Sequence, residues 1–494
     1  MKFLLIHPNK YAERYASLGL GMLSAAVKAA GHEFMLLDTS RFASGLGPTA
    51  PPHDAGKASM EASLQFKPVE LPTIPRAKIS AWEGLEQAAR EFSPDLIGIS
   101  FTTSEFGELK SIAAQATAMG ISVVAGGIHP TVRPEDVLAV PGVSMVVRGE
   151  GEQALVELLN TLEAGHGPEG VDNVWTKRGQ HVIKNPVRPY IADLDSLPFM
   201  DYSIFDDAHH IGAYQGQAVR YIRPQSSRGC PFECSYCVNA RLHQIYEGQK
   251  RHVRRKSPGR FLDELINGRQ EINFEVVRMV DETFTAAPVE WLGEFARLYQ
   301  EHIHKPIIIT TRPESVSPKK MELLRTLHED VQVTMGIETG NEAFRKKVCN
   351  RKMSNKTIIK AFHLCRELGF RTAAFNMLGL PGETRALSLE TAMLNREARV
   401  DTPIMSYFYP FPGSHLRQVC LDMGYIEDEL HDVDYSTNSF LNMPQYPLAQ
   451  MRGIKRTFVL YAKMPKKYLP NIERAETDDA SFARLAEIYR DTFA

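Results

Sequence analysis

Short apolar runs alternate with helical patterns from residue 2 to about 165. Phe3 to Ile6 reads as a strand, Leu18 to Ala30 as a helix and Phe34 to Leu37 as a second strand, each bounded by glycine or polar residues. The alternation resumes with Ala81 to Phe92, Leu96 to Phe101, Glu105 to Met119, Val123 to Ala125, Val143 to Val147 and Glu152 to Leu162. Strand, helix and strand in succession predict an α/β fold, a doubly wound, Rossmann-like parallel sheet with helices on both faces, over residues 1–168. The Pro- and Gly-rich stretch from Arg41 to Pro75 is long for a loop in such a fold, and is either functional or poorly ordered.

Residues 169–215 break this rhythm and read as a linker, with a hairpin formed by Val174 to Lys177 and His181 to Lys184 around Arg178-Gly179-Gln180. A second alternation fills residues 216–425. Its strands are expected at Arg220 to Pro224, Val276 to Val280, Ile307 to Thr310, Val331 to Ile337, Thr372 to Leu378 and Ile404 to Tyr409. Six strands with helices between them predict a parallel barrel, complete or partial. Residues 426–494 are mostly helical, and no internal repeat or low-complexity segment interrupts the chain.

At 494 residues the chain has room for about three folding units. With 43% hydrophobic and 23% charged residues it needs neither disulfides nor a metal merely to fold. Lys and Arg number 57 against 59 Asp and Glu, so no bulk field draws it to nucleic acid or an anionic membrane. The first apolar run is four residues long and ends at His7-Pro8, too short for a secretory signal; no stretch reaches the ~18 apolar residues of a bilayer span. A cytoplasmic protein, not integral to a membrane, is expected. Of six cysteines, at 230, 234, 237, 349, 365 and 420, three crowd into eight residues, which suits a metal centre better than a disulfide framework.

Those three lie in Arg228-Gly229-Cys230-Pro231-Phe232-Glu233-Cys234-Ser235-Tyr236-Cys237, a loop leaving the first strand of the second α/β unit. Three thiolates on one loop grip a metal cluster from one side. Cubane iron-sulfur clusters usually take four thiolates, so three imply one iron open to a non-protein ligand. The other readings are a structural zinc site completed by His243, or incidental cysteines.

The CxxxCxxC spacing of Cys230, Cys234 and Cys237, with Tyr236 just before the last cysteine, resembles the radical S-adenosylmethionine (SAM) superfamily. The resemblance implies a [4Fe-4S] cluster whose open iron is chelated by SAM, reductive cleavage to a 5'-deoxyadenosyl radical, and a partial (β/α)6 barrel with its site at the strand C-termini. In that frame Asp281 and Glu282, after the second barrel strand, offer a carboxylate to the SAM ammonium group. Arg312 would pair with a carboxylate, and Glu338 with a ribose hydroxyl or the ammonium. Tyr236 would join the SAM contacts. Gly379-Leu380-Pro381-Gly382-Glu383-Thr384 would let backbone approach a ligand, as a plain turn also does. Each of these acids and Arg312 is also open to a structural ion pair, the lesser reading.

Residues 1–168 resemble the cobalamin-binding domain that precedes the barrel in one large radical SAM subfamily. The matching segments are Ile6-His7-Pro8, Leu18 to Leu23, Gly31-His32-Glu33, Asp95 to Ser100, Gly126 to Thr131 and Arg148 to Glu152. Ligands of doubly wound sheets sit at strand C-termini, which makes Ser100, Thr102, Gly126, Gly127 and His129 the candidate cobalamin contacts. Proteins that bind cobalamin through a histidine carry DxHxxG after the first strand. Here that place reads His7-Pro8-Asn9-Lys10, so no histidine ligand to cobalt is expected there. Asp207-Ala208-His209-His210-Ile211-Gly212 satisfies the pattern but lies in the linker. Residues 1–229 contain no cysteine, which sets this chain apart from methylthiotransferases with a second cluster.

The resemblance implies a cobalamin-dependent methyltransferase acting on an unactivated carbon or a phosphinate phosphorus. One SAM would make methylcobalamin and a second the deoxyadenosyl radical. A non-methylating cyclase or ring-forming relative, and a non-catalytic cobalamin or redox sensor, are the alternatives. Expected partners are a small-molecule, lipid or tetrapyrrole substrate and an electron donor such as flavodoxin or ferredoxin, with no nucleic acid. The basic run Lys250 to Lys256 reads as a solvated face, and Phe408 to Gly413 as either a substrate wall or a core plug.

Overall fold

The computed structural model describes residues 1–9, 14–44, 64, 69–249, 253–428 and 438–493. Lys10, most of the Arg41–Pro75 stretch and the head of the basic run at Lys250 lie outside the described residues.

The first sheet contains β1 (Lys2–His7), β2 (Glu33–Asp38), β3 (Leu96–Ser100), β4 (Ser122–Gly126) and β5 (Val143–Val147), all parallel, in the order β2-β1-β3-β4-β5. Its strands are apolar on both faces because both are covered. Leu4 and Ile6 pack with Leu85 and Leu109 of helices Ala81–Phe92 and Phe106–Ala118; Phe3 and Leu5 pack with Leu20 and Leu158 of helices Leu18–Ala29 and Gly151–Glu163. Helix Ala81–Phe92 starts where Ser80 and Glu83 form a reciprocal capping box and stops at Ser93, whose φ is 51°. The strand order reverses between β1 and β3, which opens a crevice at their C-terminal ends.

The predicted hairpin forms as β6 (Val174–Arg178) and β7 (His181–Lys184), but it is not linker. Both strands extend the first sheet, β6 pairing antiparallel with β5. The hairpin covers the hydrogen-bonding edge that β5 would otherwise expose.

The second sheet runs from β8 (Ile211–Tyr214) and β9 (Gln217–Ile222) onward. A small antiparallel ribbon, β10 (Ser227–Arg228) with β11 (Arg254–Arg255), stands at the start of the cysteine loop. Then follow β12 (Val276–Arg278), β13 (Ile307–Thr311), β14 (Val331–Glu338), β15 (Arg371–Leu378) and β16 (Thr402–Tyr407). The order is β16-β15-β14-β13-β12-β9-β8, with six parallel strands and antiparallel β8 at the edge. Among the described residues β16 pairs only with β15, so the barrel is partial. Alternation divides its faces: Ile222, Val277, Ile309, Val333 and Ala374 pack against helices, whereas Val219, Tyr221, Val276 and Ile308 form a separate inner cluster.

The described residues beyond 425 are not an independent unit. Helices Leu448–Lys463, Leu469–Ala475 and Asp479–Thr492 share a core with Met405, Tyr407 and Phe408, which settles Phe408 as a core residue. The two sheets are also joined by apolar packing. Met22 of the first unit and Leu194, Leu197 and Met200 of the connecting segment sit in the same core as Phe261 and Phe295 of the barrel helices. No helix of the described residues is long and apolar enough to cross a membrane.

Candidate functional site

β10 delivers the cysteine loop into the gap between the two sheets. Gly229 turns it at φ 86°, a conformation glycine adopts without a Cβ penalty. Cys230 and Cys234 are buried, Cys237 half-buried, and none of the three is in a disulfide. Cys230 Sγ lies 3.7 Å from Thr283 Oγ1, Arg312 Nη1 donates to Cys234 Sγ at 3.1 Å, and Asn239 Nδ2 donates to Cys237 Sγ at 3.6 Å. Burial pushes the Cys237 thiol up to about 11, and the neighbouring Cys234 and Cys230 push it the same way. Burial likewise raises Cys230, with Cys234 among its neighbours. Thiols that resist ionisation, as those of Cys230 and Cys237 do, are stabilised as thiolates by a bound multivalent cation.

The donor set, three free thiols on one loop, is the one that grips a cluster from one side. Among the described residues no three His, Cys, Asp or Glu side chains converge as an ion site would require. His243, the candidate fourth zinc ligand, is engaged elsewhere: Nε2 contacts Cys230 O at 3.1 Å and Nδ1 faces Glu233 at 3.5 Å.

The loop is held from beneath. Ser235 donates through Oγ to Val348 O at 2.6 Å and through its backbone N–H to Cys349 O at 3.2 Å, clamping the loop on helix Glu342–Cys349. Tyr236 donates to Glu338 Oε1 at 2.9 Å, and Arg351 donates to the Tyr236 oxygen at 3.0 Å and pairs with Glu338. Glu338 sits at the irregular end of β14 with φ 66°.

Several candidate SAM contacts therefore have internal partners. Asp281, at 2% exposure, accepts from Ser226 N at 3.1 Å, from Ser226 Oγ at 2.6 Å and from Ser227 Oγ, fixing the start of β10. Arg312 is buried over the Phe232 ring at 3.7 Å and pairs with Glu314. Glu282 differs: it opens into a cavity, and desolvation, with Asp281 beside it, raises its pKa. Glu383 pins its own loop, accepting from Gly379 N at 2.6 Å and Leu380 N at 3.0 Å, and burial pushes it up to about 7.

The cavity, about 390 Å³, lies between the sheets. Ser100, Gly126 and Gly127 line it from the first unit; Arg228, Gly229, His243 and Glu282 line it from the cysteine-loop side. Leu18, Met22, Leu23 and Leu155 give it an apolar wall. Gly127 has φ 105°, and a Cβ there would stand 2.6 Å from Phe101 O, so the turn that shapes the cavity requires glycine. Two candidates do not line it. Thr102 caps its own turn through Ser104 and Glu105. His129 is fully buried, packed on Phe106 at 4.8 Å and hydrogen-bonded to Thr103 at 3.1 Å, and burial lowers its pKa to about 4. His209 does not line it either; its Nε2 lies 3.0 Å from Asp38 Oδ2.

Sequence reasoning missed the charged lattice that joins the units at this cavity. Arg228 pairs with Glu152 and with Glu150 at 3.2 Å; Arg254 reaches Glu150 at 2.8 Å and stacks on Tyr190 at 4.2 Å. Tyr190 stacks on Tyr246 at 3.8 Å, and Glu150 N donates to the Tyr246 oxygen at 3.0 Å. The string Arg148 to Glu152 was visible, but its partners 76 to 104 residues away were not.

A family model described as the radical SAM superfamily matches residues 225–392, and one described as the B12 binding domain matches residues 48–159. An uncharacterized methyltransferase of Pyrococcus horikoshii is 26% identical over 332 residues, covering 66% of this chain and 69% of its own. The anaerobic magnesium-protoporphyrin IX monomethyl ester cyclase of Cereibacter sphaeroides is 27% identical over 386 residues, covering 75% of this chain; the match spans 59% of the cyclase's length. The structure of the radical SAM methyltransferase TsrM from Kitasatospora setae, with cobalamin and a [4Fe-4S] cluster bound, shares the fold at a TM-score of 0.62 and 17% identity. It covers 86% of this chain and 76% of TsrM.

Proposed function

The chain belongs to the cobalamin-dependent radical SAM enzymes, a B12 binding domain ahead of a radical SAM domain, and we propose that it is a methyltransferase acting on an unactivated carbon or a phosphinate phosphorus. The observation that carries the reading is the shared wall: Ser100, Gly126 and Gly127 face the same cavity as Gly229 of the cysteine loop. A cofactor seated on the first unit is thereby set beside one held by the second.

Cys230, Cys234 and Cys237 would hold a [4Fe-4S] cluster and leave one iron for SAM. When bound, the cluster with SAM supplies one-electron chemistry and the corrinoid a methyl donor. The chain's own groups do the rest. Glu282, open to the cavity, would hold the SAM ammonium. Asp281, Arg312, Glu338 and Tyr236 act one step removed. Asp281 fixes the loop's base, Arg312 donates to the Cys234 sulfur and so orients it, and the Tyr236–Glu338–Arg351 set supports the loop from below. Ser100, Gly126 and Gly127 would contact cobalamin, and the apolar wall of Leu18, Met22, Leu23 and Leu155 excludes water from its buried part. Thr102 and His129 would shape that site without touching the ligand. A cytoplasmic location, a small-molecule, lipid or tetrapyrrole substrate and a flavodoxin or ferredoxin donor complete the proposal.

One observation favours a non-methylating reading, the match to a cyclase over 75% of this chain. The two readings differ in their SAM products. Incubated without oxygen with SAM, hydroxocobalamin and a low-potential reductant, a methyltransferase forms both S-adenosylhomocysteine and 5'-deoxyadenosine. Deoxyadenosine without S-adenosylhomocysteine, from protein carrying corrinoid, would reject methylation.

A further inference from the structure

The concave face of the second sheet carries features that holding the cluster does not require. Along β12, Val277 and Met279 pack against helices, so Val276, Arg278 and Val280 stand on the opposite, inner side. Val276 there joins Val219, Tyr221 and Ile308 as a floor. Register sets Arg278 beside Ile308, Ile308 beside Gln332 and Gln332 beside Arg371, one layer across four strands. Arg371 in that layer is occupied, with Asp330 Oδ1 at 2.8 Å, Gln332 Oε1 at 2.8 Å and the Tyr214 oxygen at 2.6 Å. The Arg278 side chain is exposed and makes no hydrogen bond or ion pair among the described residues. Arg223, one residue beyond β9, brings a further positive charge: Arg278, Arg223 and Arg371 all lie close enough to the Tyr221 hydroxyl to oppose the rise in its pKa that burial causes.

Two apolar side chains share this face. Val280 follows Arg278 on the inner side, and Phe375 lies on β15 opposite the helix-packed Ala374; each is 37% exposed. An unpartnered guanidinium next to uncovered apolar surface in a concavity is the combination that orients a ligand by one charged end and binds it by its body. A guanidinium also matches carboxylate and phosphate oxygens with two parallel hydrogen bonds.

We propose that this face binds the substrate and that the substrate is an organic acid, its carboxylate or phosphate oxygens held by Arg278 and its apolar body lying along Val280 toward Phe375. This names the substrate class of the reaction proposed above, and rests on that reading for its chemistry but not for its binding. Isothermal titration of the reconstituted holoenzyme with decanoate, decyl phosphate and 1-decanol tests it. Saturable binding of at least one acid, about tenfold or more weaker in Arg278→Gln, with 1-decanol binding both proteins equally weakly, is the expected result. The tighter of the two acids distinguishes a carboxylic substrate from a phosphate ester. Equal acid affinity in wild type and Arg278→Gln, 1-decanol binding as tightly as the acids, or no saturable acid binding by wild type overturns the proposal. Cluster and corrinoid absorbance, read on the same samples, reports folding of the variant. Failure of wild type to load either cofactor counts against the cofactor reading alone, because the acid titration of the unloaded chain still decides this one.

Discussion

His129 shows how a residue chosen as a ligand earns its place by packing instead. It sits between Phe101 and Phe106 with its pKa lowered to about 4 by burial. Between that value and the ordinary ~6.5 the unfolded chain takes up a proton that the folded chain refuses, so His129 costs stability as pH falls through this window. Replacing it by Phe is expected to remove about 1.4 kcal/mol per pH unit of the acid-side slope between pH 4 and 6.5, read by denaturant unfolding at several pH values. Parallel curves for the two proteins would refute a buried neutral imidazole. For Glu282→Gln the expected effect is SAM affinity about tenfold weaker with cluster content unchanged, measured by equilibrium dialysis; unchanged affinity would remove Glu282 from the site. The sequence makes the three cysteines legible because their spacing is itself the ligand geometry. It cannot show that Asp281 and Arg312 are already spent on Ser226 and Glu314, since a carboxylate at a strand end looks the same whoever receives it.

At the scale of elements, the parallel strands were readable wherever both faces are covered, since such strands are apolar throughout, and β1 and β14 follow the expected runs closely. The β6–β7 hairpin was readable as a hairpin but not as part of the first sheet, because pairing with β5 leaves no local mark in the sequence. The same holds for the lattice of Glu150, Glu152, Arg228 and Arg254. Glu150 also accepts from Ile191 N at 2.8 Å, so it ties the first unit, the connecting segment and the cysteine loop together. Glu150→Ala leaves buried Arg254 and half-buried Arg228 short of a partner, and a loss of about 3–5 kcal/mol is expected in chemical unfolding. Corrinoid affinity should fall with it, as Glu150 itself lines the cavity. A loss under 1 kcal/mol would mean that the apolar core around Met22 and Met200 alone joins the units.

Across the whole molecule, two largely parallel sheets direct strand C-termini at one cavity, and Leu194, Leu197 and Met200 anchor the connecting segment in the barrel's core. That arrangement would set a corrinoid and a cluster on either side of one space. The most direct measurement is electron paramagnetic resonance of the reconstituted protein carrying cob(II)alamin and the reduced cluster together. Each signal is expected to be broadened or split relative to protein carrying one cofactor alone, and the effect should vanish in the Cys230→Ala protein, where only the corrinoid remains. Two unperturbed signals that simply add would contradict the shared cavity.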